Sequence, residues 1–350
     1  MSKVTLLKSD GKDKLTFAKD VNGNYVTLML PEGVNAPADK FDTTEGYKVV
    51  FSKSGDVYTL VLAEIKITGA YLNITENINV CYAVALPEGY TDPYMVFGFN
   101  GKTYKVTEYT EKDGKLIFKF LGVVPQMIGE NIEATVYATH NGETVSDTKA
   151  EYSVRTYCVN MLGKTTDAKL IALLSDLLVY GAKSQIYNNP DIAETELVTY
   201  GVSGLAPSTF TAPTDTDKKL VGEADASVSW QGVALRYENA MAMRFTFKAD
   251  ANLVLKITIG NRTTEYKVSE LKANEDTGVY TVYFRGILAT EYDEVVTAAF
   301  YDGETQVGQS VTYSVNSYVH SMYESSTESL AALVQATYNY GVSAENYIEK

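Results

Sequence analysis

Most of this chain is written twice. Tyr152-Ser-Val-Arg-Thr-Tyr157-Cys-Val-Asn-Met161 returns as Tyr313-Ser-Val-Asn-Ser-Tyr318-Val-His-Ser-Met322, 161 residues on. Leu170-Ile-Ala-Leu173 with Tyr180-Gly181 and Tyr187 returns 160 residues on as Leu330-Ala-Ala-Leu333 with Tyr340-Gly341 and Tyr347. Upstream, Glu76-Asn77 matches Glu238-Asn239, Tyr104-Lys-Val106 matches Tyr266-Lys-Val268, and Gly122 matches Gly286. Order is kept while the offset drifts by a residue or two, as a duplicated domain leaves when only its loops change length. The chain must therefore fold into two copies of one supersecondary plan.

Each copy reads as strands followed by two helices. Met241, Met243, Phe245 and Phe247 alternate with Ala242, Arg244 and Thr246, the period of a strand with one buried face. Leu116, Phe118 and Phe120 do the same, with Tyr280, Val282 and Phe284 at the matching places. Asn141-Gly142 and Asp302-Gly303 are hairpin dipeptides, because type I′ turns need positive φ at both centres. The period then changes. Leu170, Leu173, Leu174, Leu177, Leu178 and Gly181 mark one face of a helix, mirrored by Leu330, Leu333, Val334, Thr337, Tyr338 and Gly341, with N-caps at Thr166-Asp167 and Ser326-Thr327. The expected class is α+β, dominated by β: two tandem sandwich-like lobes, each closed by a helix pair.

Boundaries follow from where the repeat begins. Residues 1–66 have no counterpart and read as an extra β-region; 67–190 is the first lobe and 220–350 the second. Ala206-Pro-Ser-Thr-Phe-Thr-Ala-Pro lies within 191–219, which reads as a linker.

Thirty Lys and Arg against 44 Asp and Glu give a net charge of −14, which argues against nucleic acid, whose phosphates need clustered cations. No stretch reaches the roughly 20 apolar residues that cross a bilayer. The first residues lack the apolar core of a signal peptide, and we expect a segment of a longer exported chain. Two histidines leave little for zinc ligation or a serine triad. His140 aligns with Tyr301 and His320 with Asn160; Cys81 aligns with Met243 and Cys158 with Val319, so both thiols are expected buried and inert. Asp20-Val-Asn22-Gly23-Asn24 lacks the closing acid of a calcium loop and reads as a turn. Neither a nucleophile elbow nor a phosphate-cradling loop is present. Catalytic residues, metal and cofactor are therefore all expected to be none, although paired carboxylates of the glycosidase kind are set by tertiary geometry.

Tyrosine is the excess, 27 against 12 Phe and a single Trp. Tyr152/Tyr313, Tyr157/Tyr318, Tyr180/Tyr340 and Tyr187/Tyr347 recur and read as scaffold. Trp230, Tyr71, Tyr90, Tyr94, Tyr237, Tyr283, Tyr292 and Tyr301 do not, and Tyr283 lies on the outward parity of its strand. Exposed rings with a polar tip suit sugars, and Arg244 would bond to hydroxyls beside them.

The pattern Tyr-Ser-Val-x-x-Tyr, then Leu-x-x-Leu and Tyr-Gly with a further Tyr six residues after the Gly, resembles a module of secreted, dockerin-bearing proteins of gut Firmicutes. Two such lobes in tandem resemble the second domain of the starch adherence proteins of ruminococcal amylosomes. The resemblance covers about 67–350 and implies a non-catalytic, secreted or cell-surface module. It would bind α-1,4-glucan (starch and maltooligosaccharides) in a groove between two lobes, as a monomer within a larger multidomain protein or complex. The alternative is a structural or adhesive surface module with no glycan ligand.

Overall fold

The computed structural model describes residues 5–9, 12–16, 28–29, 47–52 and 57–62 at the level of backbone. From residue 65 onward it describes all but 74–77, 88, 141, 215–218, 238–240, 326 and 349–350, with the side chains of 149–151 also outside the description. The turn expected at Asn22-Gly23 and the repeated Glu-Asn pairs lie outside the described residues. The chain forms two compact units. The first holds Met1–Tyr71, Cys81–Phe120 and Asn131–Tyr152; the second holds Leu72–Val80, Leu121–Glu130 and Ser153–Lys350.

In the first unit, β1 (Thr5–Ser9) pairs with β2 (Lys12–Thr16), and β3 (Leu28–Met29), β4 (Tyr47–Ser52) and β5 (Val57–Leu62) form a sheet in the order β3-β5-β4. The lobe proper is built from β6 (Lys66–Asn73), β7 (Asn79–Ala85), β8 (Tyr90–Phe99), β9 (Lys102–Val106), β10 (Thr110–Lys112), β11 (Lys115–Phe120), β12 (Ile132–His140) and β13 (Glu143–Tyr152). They make two sheets, β10-β11-β7-β6 and β13-β12-β8-β9. Alternation puts Tyr82, Phe97 and Phe120 between the sheets, with ring centroids 5.4 and 5.1 Å apart and the Tyr82 hydroxyl donating to the Ile132 carbonyl.

The second unit repeats the plan. Its strands are β14 (Lys219–Val221), β15 (Val228–Arg236), β16 (Ala242–Ala249), β17 (Val254–Ile259), β18 (Arg262–Lys267), β19 (Tyr280–Phe284), β20 (Val296–Asp302) and β21 (Thr305–Tyr313). The sheet orders β15-β16-β19 and β14-β21-β20-β17-β18 contain the orders of the first lobe, strand for strand. The fold is thus α+β with sandwich-like lobes, as the periodicity requires.

The structure corrects the alignment in two places. Tyr82 and Met243 face their cores, whereas Cys81 clusters with Ala83 and Ile117 on the other face of β7, so Cys81 and Met243 are not equivalent. Hairpin closures at Phe99/Lys102 and Ile259/Arg262 equate β8 with β17. Met95 opposite Val136 and Leu255 opposite Phe300 then equate Tyr137, not His140, with Tyr301. The second hairpin also differs: Asp302 pairs with Thr305, leaving Gly303-Glu304 at the centre with positive φ at Gly303.

The repeated Tyr-Ser-Val is a strand-to-helix junction. Tyr152 and Tyr313 end β13 and β21. Ser153 and Ser314 are the N-caps of α1 (Val154–Leu162) and α3 (Val315–Met322), accepting from the backbone N–H of Thr156 and Ser317. Asp167 caps α2 (Ala168–Asn188), and α4 (Glu328–Ile348) begins just after Thr327. The Pro/Thr-rich segment after α2 is a packed strap. Ser208 donates from N–H and hydroxyl to buried Asp176 at 2.8 and 2.7 Å, and its carbonyl accepts from Asn339. Phe210 lies against Tyr323 and Tyr338, and Nδ1 of His320 meets the Pro213 carbonyl at 2.6 Å.

Candidate functional site

The helices of both copies pack together within the second unit. Tyr180 of α2 and Tyr340 of α4, the same position in the two copies, stack with centroids 5.7 Å apart at 18°. A residue stacked on its own copy places an approximate twofold axis between the helices. The glycine after each tyrosine makes room for a knob. A Cβ on Gly181 would fall 2.3 Å from Ile128 Cδ1, and one on Gly341 2.3 Å from Tyr292 Cδ2. The knobs are equivalent: the Ile128 carbonyl accepts from the Arg155 N–H, and that of Tyr292 from the Asn316 N–H. Tyr237 and Tyr318 join the same cluster, ring to ring at 6.2 Å. Burial pushes the phenols of Tyr180, Tyr237, Tyr292 and Tyr340 upward, so all are neutral at physiological pH. The Cys158 thiol is raised by burial to about 12, and neither Cys81 nor Cys158 forms a disulfide.

A hollow of about 230 Å³ opens over this tyrosine floor, still within the second unit. Its walls come from both copies in matched pairs: Val123 with Ile287, and Pro125 with Ala289. The symmetry breaks at the rim, where Leu121, 69% exposed, stands in one copy and Arg285 in the other.

Arg285 links the hollow to the outer face of β15-β16-β19. Alternation along β19 sends Thr281 and Tyr283 outward, and Arg285 continues that parity just beyond the strand. Tyr283 is 42% exposed, lies directly across from Arg244 on β16, and has the Arg285 guanidinium 5.5 Å from its ring centre. The next row on this face pairs Thr246 with Thr281, and the Thr246 hydroxyl donates to the Gly232 carbonyl. The structure thus brings two of the sequence candidates, Arg244 and Tyr283, side by side and adds Arg285. The signal for Arg285 was available: outward parity two residues after Tyr283.

Other candidates lie elsewhere, and several are corrected. Trp230 is a core residue: its ring packs on Phe245, Phe247 and Phe300, and its indole N–H donates to the Gln309 carbonyl at 2.7 Å. Tyr237 is 5% exposed within the helical cluster. Tyr90 is 7% exposed and stacks on His140 at 4.5 Å. None of these three has a free ring face, because the packing that orders them uses it. Tyr292 is the knob opposite Gly341. Tyr301 is not unpaired but the copy of Tyr137, and Lys256 lies 4.9 Å above its ring. In the first unit, Tyr94 has Tyr137 stacked at 5.0 Å and Lys105 Nζ 3.9 Å from its ring centre. Tyr71, 38% exposed, sits beside Cys81.

Among the described residues, no group of three or more His, Cys, Asp or Glu is disposed to hold a metal, and no helix is long and apolar enough to cross a membrane.

No protein-family model and no curated protein matches the chain. Among solved structures, it is similar at 7% identity to a family 64 laminaripentaose-producing β-1,3-glucanase from Paenibacillus barengoltzii. The match covers 68% of this chain and 47% of that one, with a TM-score of 0.21, and the same figures hold for that enzyme complexed with laminarihexaose. An ice-binding, Ca²⁺-stabilized adhesin of an Antarctic bacterium is similar at 10% identity over 77% of this chain and 55% of that one, with a TM-score of 0.20. The chain spans about half the length of these structures, and superpositions this loose do not establish a shared fold.

Proposed function

We propose that this chain is a non-catalytic polysaccharide-binding module of an exported protein, with α-1,4-glucan (starch and maltooligosaccharides) as its ligand. The observation that carries the reading is the exposed Tyr283 ring on a sheet face, with Arg244 across the strand and Arg285 against the ring. A pyranose ring stacks its C–H face on a phenol, and guanidinium N–H groups donate to the hydroxyls around it. A neutral polymer is also indifferent to the −14 net charge. The resemblance of the Tyr-Ser-Val and Tyr-Gly motifs to starch adherence modules supplies the choice of glucan. Affinity electrophoresis through starch-containing gels tests it. The wild-type chain should be retarded and Tyr283→Ala should migrate freely; an unretarded wild type, or a variant retarded equally, overturns the reading.

A structural or adhesive module is the second reading, favoured by the scatter of exposed rings. Tyr71, Tyr104 and Tyr109 in the first unit and Tyr200 and Tyr283 in the second are each 37–50% exposed, on different elements.

A further inference from the structure

We propose that the hollow over the tyrosine floor is a second binding site, for a small carboxylate carried on an apolar ring. The site is independent of the polysaccharide reading. Its size sets the first limit: a cavity of roughly 150 Å³ takes a single aromatic ring, and 230 Å³ leaves space for a short arm. Its walls set the second. Ile78, Val123, Pro125, Met241, Ile287 and Ala289 offer aliphatic surface, which an apolar ring would remove from water. The polar groups set the third. Tyr180, Tyr292 and Tyr340 stay neutral, so the floor adds no negative charge, and no Asp or Glu lines the hollow.

Arg285 at the rim is the only charged residue of that lining, and it has no carboxylate partner among the described residues. In a chain of net charge −14, an unneutralised guanidinium beside an apolar hollow is an electrostatic mark of an anionic ligand. Its planar fork matches a carboxylate in two parallel bonds. A sugar ring fits poorly, because its hydroxyls need side-chain acceptors and these side chains offer chiefly donors and hydrocarbon. Bare inorganic anions fit poorly too, since they would leave the apolar walls wet. Duplication explains how the site arose: Leu121 keeps one side of the rim apolar, while the equivalent Arg285 made the other side cationic.

The probe is trans-cinnamate, with cinnamyl alcohol and inorganic phosphate as controls, titrated against the whole chain while the methyl resonances of Ile78, Val123 and Ile287 are followed. Cinnamate should give saturable shifts with a dissociation constant of about 1 mM or tighter. The alcohol should bind about tenfold more weakly, as loss of one charge-assisted pair predicts, and phosphate should leave the methyls unmoved. Arg285→Met should weaken cinnamate about tenfold. Val123→Phe should abolish the shifts, and Tyr283→Ala should leave them intact while ending starch retardation. Absence of saturation by about 10 mM overturns the proposal, as do equal affinities for acid and alcohol, or an Arg285→Met affinity equal to wild type. Should Val123→Phe not melt like the wild type, the exposed Arg285→Met change carries the test alone.

Discussion

Gly341 holds the space that the Tyr292 ring fills: a Cβ there would lie 2.3 Å from Cδ2 and 3.0 Å from Cγ of that ring. Gly181 does the same for Ile128 in the other copy. Helix propensity alone would favour alanine at either site by about 1 kcal/mol, but the overlap is with packed atoms that cannot move aside. Gly341→Ala and Gly181→Ala should each destabilise by about 1–3 kcal/mol in denaturant melts. Gly163→Ala should cost nothing of this kind. Gly163 has φ −73°, and a Cβ there would stand 3.6 Å from its nearest neighbour, the Val159 carbonyl oxygen. Equal stability of all three variants would remove the knob-and-glycine account.

Trp230 and Tyr283 should separate stability from binding. Trp230→Ala removes a ring shared with Phe245, Phe247 and Phe300 and strands the Gln309 carbonyl, and should cost about 3 kcal/mol or more. Tyr283→Ala should shift stability by less than about 1 kcal/mol yet lose starch retardation. Thermal melts beside affinity gels read both, and a Trp230→Ala chain as stable as wild type would refute the core assignment.

The N-cap serines predict a smaller, local effect. The Ser314 hydroxyl accepts from the Ser317 N–H at 2.9 Å and is fully buried. Ser314→Ala, and Ser153→Ala at the equivalent cap, should each lower stability by about 1 kcal/mol. Ser314→Asn, which can still cap but is larger, should recover less than Ser314→Thr.

The Tyr340 hydroxyl is buried with no hydrogen-bond partner among the described residues. A polar group held so costs about 1–3 kcal/mol. Tyr340→Phe, which keeps the ring stacked on Tyr180, should therefore be neutral or stabilising by about 1 kcal/mol. A clear loss of stability would mean that the hydroxyl is bonded in solution.

Alkaline pH should unfold the second unit from its centre. In the unfolded chain tyrosine titrates near pH 10, whereas burial holds Tyr180, Tyr237, Tyr292 and Tyr340 well above that. Between those values the unfolded state has lost protons that the folded state keeps, so stability is whole below about pH 10 and falls above it. The slope is about 1.4 kcal/mol per pH unit for each such phenol. Melting temperature against pH, followed with phenolate absorbance, should show these tyrosines ionising only as the fold opens. Phenolate appearing stepwise at constant melting temperature would contradict the burial.

The sequence by itself determined the duplication, the strand alternation, the helical faces and the junction motif. Each of these is a local periodicity, or a turn or cap requirement, that the chain carries along its own length. Parity put Tyr283 and Arg244 outward on the same reasoning, and they do lie together. What parity cannot say is what covers a face. Trp230 and Tyr237 had no aromatic counterpart, yet both are packed, because Phe300 from a strand 70 residues on and Tyr318 from α3 close over them. Loop-length drift likewise hid the equivalence of Tyr137 and Tyr301, which only hydrogen-bond register fixes. The hollow belongs wholly to tertiary structure: it exists because two copies of one helix meet at Tyr180 and Tyr340, and no spacing within either copy encodes that meeting.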